Sequence, residues 1–239
     1  MEKLNKITAS LICMNLADIK TDLDTLIENG VTSFHADFMD NTFVPRLGIS
    51  PELIQWMRKR YGRDIKIDSH LMVQNPYDCV DVIAPFSDWV FFHYEAVPDP
   101  VRILQKIEKV SSANRGIAYN IGTPFNNDLI KTGLVDGIMF MGISPGVLGT
   151  ASWPEVIRNK IGDFKRNIST EASVFVDGGV NFMSLGPLTK IILGGSGYIG
   201  ADMLVCGSST LFKIDKETKL MDRKEMIKFN IERIKEALK

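Results

Sequence analysis

Short apolar runs rich in β-branched and aromatic residues alternate along this chain with longer segments of helical periodicity. The runs have the length of strands, and their spacing leaves room for one helix between successive runs. This alternation predicts eight strands, namely Ile7–Cys13, Ser33–Met39, Lys66–Met72, Trp89–His93, Arg115–Asn120, Gly137–Met141, Val174–Asp177 and Met203–Gly207. Repeated βα units of this kind are typical of a parallel sheet with helices outside it.

The segments between the predicted strands carry helix signals. Ser50, Pro51 and Glu52 provide an N-cap, a first-turn proline and an early acidic residue, and Asn75 with Pro76 opens the next helix in the same way. A last amphipathic helix is predicted from apolar residues spaced by four and three, Ile227, Ile231, Ile234 and Leu238. The glycine-rich residues 193–198 are predicted to form a loop before the last strand.

Eight βα units can form either a closed barrel or an open, doubly wound sheet. An open sheet that binds a dinucleotide would place a GxGxxG motif directly after its first strand, but residues 14–17 contain no glycine. The length of 239 residues suits one barrel, and no low-complexity linker divides the chain. The pattern therefore predicts an α/β fold, a single (β/α)8 TIM barrel in one domain over residues 1–239.

The composition narrows the function classes. Hydrophobic residues make up 45% and charged residues 24%, which permits a large core, and the net charge of −1 gives no reason to expect nucleic acid or an anionic membrane as a partner. Three widely spaced cysteines are typical of reduced thiols. Neither a signal peptide nor an apolar run of about 20 residues is visible, so the expected compartment is the cytoplasm.

Candidate chemistry lies at the ends of the predicted strands. His35 and Asp37 are two residues apart and share one face of a strand, while His70 lies near the end of the third strand and Asp177 ends the seventh. Because the carboxyl ends of barrel strands meet at one mouth, these four side chains are expected to converge. A lone strand histidine is more often an ordinary buried polar residue, but burying four unpaired groups together would be unfavourable. Two imidazoles and two carboxylates suit Zn²⁺, Fe²⁺, Mn²⁺ or Co²⁺ equally.

Methionines and glycines accompany this set. Met39, Met72 and Met141 lie at matching strand positions; each alone is an ordinary core residue, but together they predict an apolar floor that excludes water. Glycines also follow the last three strands, in residues 144–149, 177–179 and 207–209. Because glycine lets backbone N–H groups approach an anion, and barrels often bind phosphate after strands 7 and 8, these loops predict a phosphate site.

Several stretches resemble the ribulose-phosphate 3-epimerase family, from Ile7 to about Phe212. They are residues 35–40 followed by 43–45, residues 70–73, residues 93–95, Met141 with Pro145-Gly146, residues 176–179 and residues 206–208. The resemblance implies epimerisation at C3 of a ketose phosphate, interconverting D-ribulose 5-phosphate and D-xylulose 5-phosphate in the pentose phosphate pathway. It also implies one divalent metal per chain, no nucleotide cofactor and a homo-oligomer, either dimer or hexamer.

The resemblance also implies roles for individual residues. The metal ligands would be His35, Asp37, His70 and Asp177, and Asp37 and Asp177 would double as the catalytic acid and base. The substrate and its phosphate would be bound by Ser10, His70, Gly146, Gly149, Gly178, Gly179, Gly207 and Ser208. This agrees with the chemistry, because inversion removes a proton from one face of the carbon and returns one to the other, while a metal stabilises the enediolate. His93 and Glu95 are read as a pair beside the site without a catalytic role.

The chain departs from the family pattern around the substrate. Asn41-Thr42 replaces the usual Gly-His, residues 147–150 lack the usual aromatic residue and glutamine, and residues 194–198 resemble an insertion. Two alternatives therefore stay open, a D-allulose-6-phosphate 3-epimerase, which the opening residues 10–16 resemble, and a non-catalytic sugar-phosphate-binding barrel. The decarboxylase and hexulose-phosphate synthase barrels of the superfamily are disfavoured because strand three lacks their lysine.

Overall fold

The computed structural model describes residues 4–147, 154–167, 171–193 and 197–239. Its ten strands are β1 (Ile7–Ser10), β2 (Ser33–Met39), β3 (Lys66–Met72), β4 (Trp89–His93), β5 (Asn114–Tyr119), β6 (Gly137–Met141), β7 (Ser173–Asp177), β8 (Ile191–Leu193), β9 (Gly197–Ile199) and β10 (Met203–Cys206). The α-helices within these ranges are α1 (Ile19–Glu28), α2 (Pro51–Tyr61), α3 (Pro76–Ile83), α4 (Pro100–Val110), α5 (Asn127–Lys131), α6 (Pro154–Asn167), α7 (Leu185–Thr189) and α8 (Arg223–Leu238). None of the helices in the described ranges has the length and apolar character that crossing a membrane would require.

Eight parallel strands close into a barrel in the order β1-β10-β7-β6-β5-β4-β3-β2. The seam between the first and last of them pairs Ile7 with Leu204, and β1 pairs on its other side with β2 through Ala9 and Ser10. The predicted (β/α)8 TIM barrel is thus confirmed. Glycine matters in one of its turns, because the chain leaves α2 through Gly62 with φ of +63°, a conformation that favours glycine.

Apolar side chains pack in two layers, one outside the barrel strands and one inside them. One layer lies between the strands and the surrounding helices, and it includes Ile227, Ile231 and Ile234 of α8, all but completely buried. The other fills the interior of the barrel, with Phe91, Ala118, Met139, Met141 and Phe175. The second layer closes the barrel below its mouth, so that the polar residues at the carboxyl ends of the strands lie above a packed apolar floor.

Three aspartates form a repeated contact at the opposite end of the barrel. Asp88, Asp136 and Asp202 stand just before β4, β6 and β10, and each carboxylate accepts a hydrogen bond from a backbone N–H of an adjacent strand. Each also contacts a cation, which is Arg58 for Asp88, Arg115 for Asp136 and Lys165 for Asp202. The contacts bind neighbouring strands at the end remote from the mouth, where barrels place residues for stability.

Two local predictions were wrong. The first strand ends at Ser10 rather than Cys13, and Leu11–Cys13 forms a 3₁₀ turn. The reason is the short seam, because β10 ends opposite Ala9 and leaves the following residues without a partner on that side. Residues 193–198 were predicted as a loop, but Leu193 lies in β8 and Gly197 and Tyr198 lie in β9, two strands that pair antiparallel from Ile191–Ile199 to Leu193–Gly197. Residues 194–196 fall outside the described residues. β5 is shifted by one residue at both ends relative to the prediction, and β7 and β10 differ from it by one residue at one end.

Candidate active site

Four side chains converge at the mouth of the barrel. His35 and Asp37 come from β2, His70 from β3 and Asp177 from the end of β7, and one ligand atom from each lies within 4.8 Å of the others. The register explains the convergence, since Asp37 is paired with His70 across β2 and β3. Both histidines are fully buried, while Asp37 is 6% exposed. The structure thus brings together the four residues that the sequence singled out as a set.

The distances describe two imidazole nitrogens facing two carboxylates. His35 Nε2 lies 3.2 Å from Asp37 Oδ1 and 3.8 Å from Asp177 Oδ2. His70 Nδ1 lies 3.4 Å from Asp177 Oδ2 and 3.7 Å from Asp37 Oδ1. Within the described part of the chain these two nitrogens are buried without a properly formed hydrogen bond. A divalent cation would satisfy both of them, so the donor set fits a metal ion.

Electrostatics favour positive charge in this cluster. Burial alone would lower the pKa of His35, but the neighbouring carboxylates of Asp37 and Asp68 outweigh it and raise the pKa well above its usual value. The pKa of His70 is likewise raised by Asp177 and Asp37 against the effect of burial. In Asp37, burial would raise the pKa, but the two histidines lower it strongly. The cluster therefore favours a cation, or protons on its histidines, beside the ionised carboxylate of Asp37.

Asp68 is hydrogen-bonded to His35 on the side of the ring that faces away from the cluster, and it was not among the residues predicted from the sequence. Its Oδ2 is hydrogen-bonded to His35 Nδ1, while its Oδ1 accepts a 2.7 Å hydrogen bond from Thr8 Oγ1. A histidine ligand commonly donates its second nitrogen to a carboxylate, which fixes the ring and the tautomer. The signal was available, because Asp68 lies two residues before His70 and shares its face of β3.

His93 and Glu95 extend behind His70 in the same manner. His93 Nε2 lies 2.9 Å from His70 Nε2, and His93 Nδ1 lies 3.2 Å from Glu95 Oε2. Burial lowers the pKa of His93 to about 4, so its ring is neutral near pH 7. Burial would raise the pKa of Glu95, yet hydrogen bonds from His93, Thr123 and the Asn120 N–H lower it to about 2. His93 is therefore in direct contact with the cluster, and Glu95 is connected to the cluster through His93.

A cavity opens above the cluster, lined by most of the residues expected to contact substrate. Ser10 borders it and donates a 3.2 Å hydrogen bond to Asp37 Oδ2. The remaining expected residues that line the cavity are Asp37, Asp177, Met39, Met72, Met141, Gly146, Gly178, Gly179, Gly207 and Ser208. His70 lies buried in the cluster beneath. Gly149 and the rest of residues 148–153 fall outside the described residues.

Two glycines of the cavity wall lie close to their neighbours, and the backbone conformation of one of them, Gly178, favours glycine. Gly178 has φ of +92°, and a Cβ atom there would lie 2.6 Å from Ile143 Cγ1. A Cβ atom at Gly207 would lie 2.9 Å from Cys13 Sγ. The backbone after β7 and β10 therefore approaches its neighbours more closely than a side chain allows, which suits loops that bind an anion through their N–H groups.

Known proteins resemble this chain over nearly all of its length. The ribulose-phosphate 3 epimerase family matches residues 6–211. The ribulose-phosphate 3-epimerase of Methanocaldococcus jannaschii is 30% identical over 223 residues, covering 92% of this chain and 90% of that protein. The ribulose-phosphate 3-epimerase of Escherichia coli K12 is 30% identical over 233 residues, covering 95% and 98%. The crystal structure of KGPDC from Streptococcus mutans has a TM-score of 0.66 at 16% identity, covering 99% of this chain and 100% of that one, a likeness of fold alone.

Proposed function

Because this chain belongs to the ribulose-phosphate 3-epimerase family and is an isomerase acting on a sugar phosphate, we propose that it interconverts D-ribulose 5-phosphate and D-xylulose 5-phosphate in a metal-dependent reaction. The observation that carries the metal dependence is the pair of buried nitrogens, His35 Nε2 and His70 Nδ1, aimed at two carboxylates. We assign the activity to one catalytic domain over residues 1–239.

One divalent ion, Zn²⁺, Fe²⁺, Mn²⁺ or Co²⁺, would be held by the two histidines and by Asp37 and Asp177. When bound, the ion supplies positive charge that favours the build-up of negative charge on the ketose oxygens. Asp68 and His93 hold the two imidazoles from the side away from the cluster. The metal site therefore has supporting hydrogen bonds as well as ligands.

The two carboxylates handle the proton at C3. Asp37 on β2 and Asp177 on β7 reach the centre from strands that are separated by β1 and β10 in the barrel. This placement allows one carboxylate to take the proton from one face of the carbon and the other to return a proton to the opposite face. Ser10 donates a hydrogen bond to Asp37 Oδ2 and so orients one of the two.

Different parts of the cavity wall would bind different parts of the substrate. Met39, Met72 and Met141 line it with apolar surface, which keeps water away from the charged intermediate. The phosphate is assigned to the backbone around Gly178, Gly179, Gly207 and Ser208, with Gly146 on the neighbouring loop. The sugar then lies between the methionines and the carboxylates.

The test is a direct comparison of two substrates in D₂O with the metal-loaded protein. We expect a higher kcat/KM for ribulose 5-phosphate than for allulose 6-phosphate, with a difference of roughly 1–3 kcal/mol or less because one carbon separates the sugars. One solvent deuterium should enter at C3 of the product. A preference for the hexose would replace the proposed substrate, and no turnover of either sugar would favour a non-catalytic barrel.

A further inference from the structure

We infer that His93 and Glu95 are positioning residues for His70, forming a hydrogen-bonded chain that keeps the proton of His70 on Nε2 and its Nδ1 lone pair directed into the cluster. The inference rests on the proposed metal site, since it concerns how one of the ligands is prepared. Neither residue lines the cavity, so the effect acts through His70.

The chain of contacts is continuous, running from Glu95 at the surface to the two buried histidines. Glu95 Oε1 accepts a 2.9 Å hydrogen bond from the backbone N–H of Asn120, which fixes the carboxylate after β5. Its other oxygen, Oε2, lies 3.2 Å from His93 Nδ1, and His93 Nε2 lies 2.9 Å from His70 Nε2. Both histidines are fully buried, so water does not offer an alternative partner.

The donor and the acceptor of each hydrogen bond can be assigned by starting from the carboxylate of Glu95. A carboxylate oxygen of Glu95 accepts, so the nitrogen of His93 that faces it, Nδ1, is the donor of this hydrogen bond. His93 Nε2 is then an acceptor, and the 2.9 Å contact requires the proton of His70 to be on Nε2. His70 Nδ1 is left with its lone pair, and it faces Asp37 and Asp177.

Ring packing holds the relay in place. The His70 and His93 rings lie edge to edge at an interplanar angle of 24°, with centroids 5.0 Å apart, and the centroid of the Phe43 ring lies 4.9 Å from that of His93. Phe43 also packs against Met39, Val44 and Met72 at the mouth. A substitution at His93 must therefore keep an aromatic shape if it is to remove the hydrogen bonds without removing the packing.

The two imidazoles of the cluster are supported unequally. His35 contacts the carboxylate of Asp68 directly, whereas His70 contacts a neutral ring and its carboxylate, Glu95, lies beyond that ring. A carboxylate in contact raises the basicity of a ligand more than one farther away, because the interaction falls with distance. The relay therefore acts mainly by fixing orientation and tautomer.

The experiment measures Co²⁺ affinity of the full chain by competition with a chelator, independently of turnover. His93→Phe keeps an aromatic ring beside Phe43 and removes the acceptor, and we expect it to weaken binding about tenfold to a hundredfold. His93→Gln restores an acceptor near Nε2, and it should recover most of that loss. Glu95→Gln keeps an acceptor but loses the charge, so an intermediate loss is expected. Asp128→Asn, an exposed carboxylate on α5, is the matched control and should bind as wild type does.

Each outcome separates the relay from the metal site itself. Wild-type affinity in His93→Phe would overturn the relay alone, and so would an equal loss in His93→Phe and His93→Gln, because the ring would then matter rather than the hydrogen bond. If His93→Phe does not fold, the Glu95→Gln result decides, and wild-type affinity there overturns the relay. A wild-type chain that binds no Co²⁺ would overturn the metal site and the relay with it.

Discussion

Asp68 is the carboxylate that supports His35, and it lies beneath the cluster where the proposed substrate does not reach. We expect Asp68→Asn to lower metal affinity by about tenfold or more, because a neutral amide no longer polarises the imidazole. The change is nearly isosteric, so the fold should persist. Chelator competition measures the affinity, with Asp64→Asn as an exposed control just before β3. Equal affinity in the two variants would remove Asp68 from the metal site.

Asp37 and Asp177 carry the proposed proton transfers. Asp37→Asn and Asp177→Asn should each reduce kcat/KM at least about a hundredfold, since each face of the carbon needs its own acid or base. Both residues are also proposed ligands, so metal content must be determined in each variant before the loss is attributed to proton transfer. Wild-type turnover in either variant would contradict the assignment of two carboxylates.

Residue periodicity was informative about which side chains meet. The spacing of two between His35 and Asp37, together with the strand-end positions of His70 and Asp177, was enough to predict their convergence. The periodicity was less informative about which residues form hydrogen bonds with the two histidine ligands. Asp68 and His93 become partners of the ligands only through the register between β2, β3 and β4, which a single strand pattern does not contain.

The glycine-containing loops after β7 and β10 are proposed to bind the phosphate through their backbone N–H groups. Gly207→Ala places a Cβ atom 2.9 Å from Cys13 Sγ, so either the Cys13 side chain or the loop must shift at the cavity wall, and we expect KM for the sugar phosphate to rise about tenfold, or about 1.4 kcal/mol. Arg46 also lines the cavity, and Arg46→Ala should have the smaller effect if backbone groups dominate phosphate binding.

Gly122→Ala is the matched control for that comparison. No heavy atom lies within 4 Å of a Cβ atom at Gly122, so this variant tests whether loss of a loop glycine alone has an effect. Steady-state KM for the three variants decides the matter. A larger KM increase in Arg46→Ala than in Gly207→Ala would contradict binding by the backbone.

The aspartate contacts at the remote end of the barrel are expected to serve stability. Asp136 accepts hydrogen bonds from the N–H and the guanidinium of Arg115, so Asp136→Ala leaves this largely buried cation with only the exposed carboxylate of Glu108 as a partner. We expect the free energy of unfolding to fall by about 1–3 kcal/mol. Asp163→Ala removes an exposed pair with Arg166 and should change it by less than about 0.5 kcal/mol. Urea unfolding measures both, and equal effects would contradict the assigned role.

The strands and helices were predicted correctly where the hydrophobic pattern of the sequence was compatible with a single architecture. Eight apolar runs separated by helices, without a dinucleotide-binding glycine motif, left the barrel as the consistent architecture. It failed where pairing decided the outcome. Nothing in the apolar run from Ile7 to Cys13 marks the end of β1, which is set by where β10 stops. The glycines of residues 193–198 were read as a loop, although two short apolar runs that flank a glycine-rich segment of sequence are also typical of a hairpin.

Acid should weaken the molecule as a whole through carboxylates outside the cluster. A hydrogen bond from Arg233 lowers the pKa of Asp215 to about 2, and that of Glu95 is also about 2. The pKa of Asp88 is lowered by the Ile67 N–H, Lys66 and Arg58 although burial opposes the change. Because these folded-state values lie below the unfolded values of about 4, the stability they contribute is present above about pH 4 and is lost as the pH falls toward 2.

The measurement is the urea midpoint between pH 7 and pH 2. The midpoint should decline below about pH 4.5, and the decline should be less steep in Asp215→Asn, which lacks one of the titrating groups. Asp64→Asn, with an exposed carboxylate, should follow the wild-type curve. A midpoint that stays constant down to pH 2 would contradict the contribution of these groups.

The seam between β1 and β10 has a consequence for the growing polypeptide. Ribosomes add about 5–20 residues per second, so roughly ten to forty seconds separate the synthesis of Ile7 from that of its partner Leu204. Throughout that interval β1 has an unpaired edge, and Asp177 is the last of the four cluster residues to be made. β1 is only four residues long and includes Thr8 and Ser10, and a short strand with polar residues is a poor template for another chain. The short length of β1 therefore limits aggregation of the nascent chain before the barrel closes.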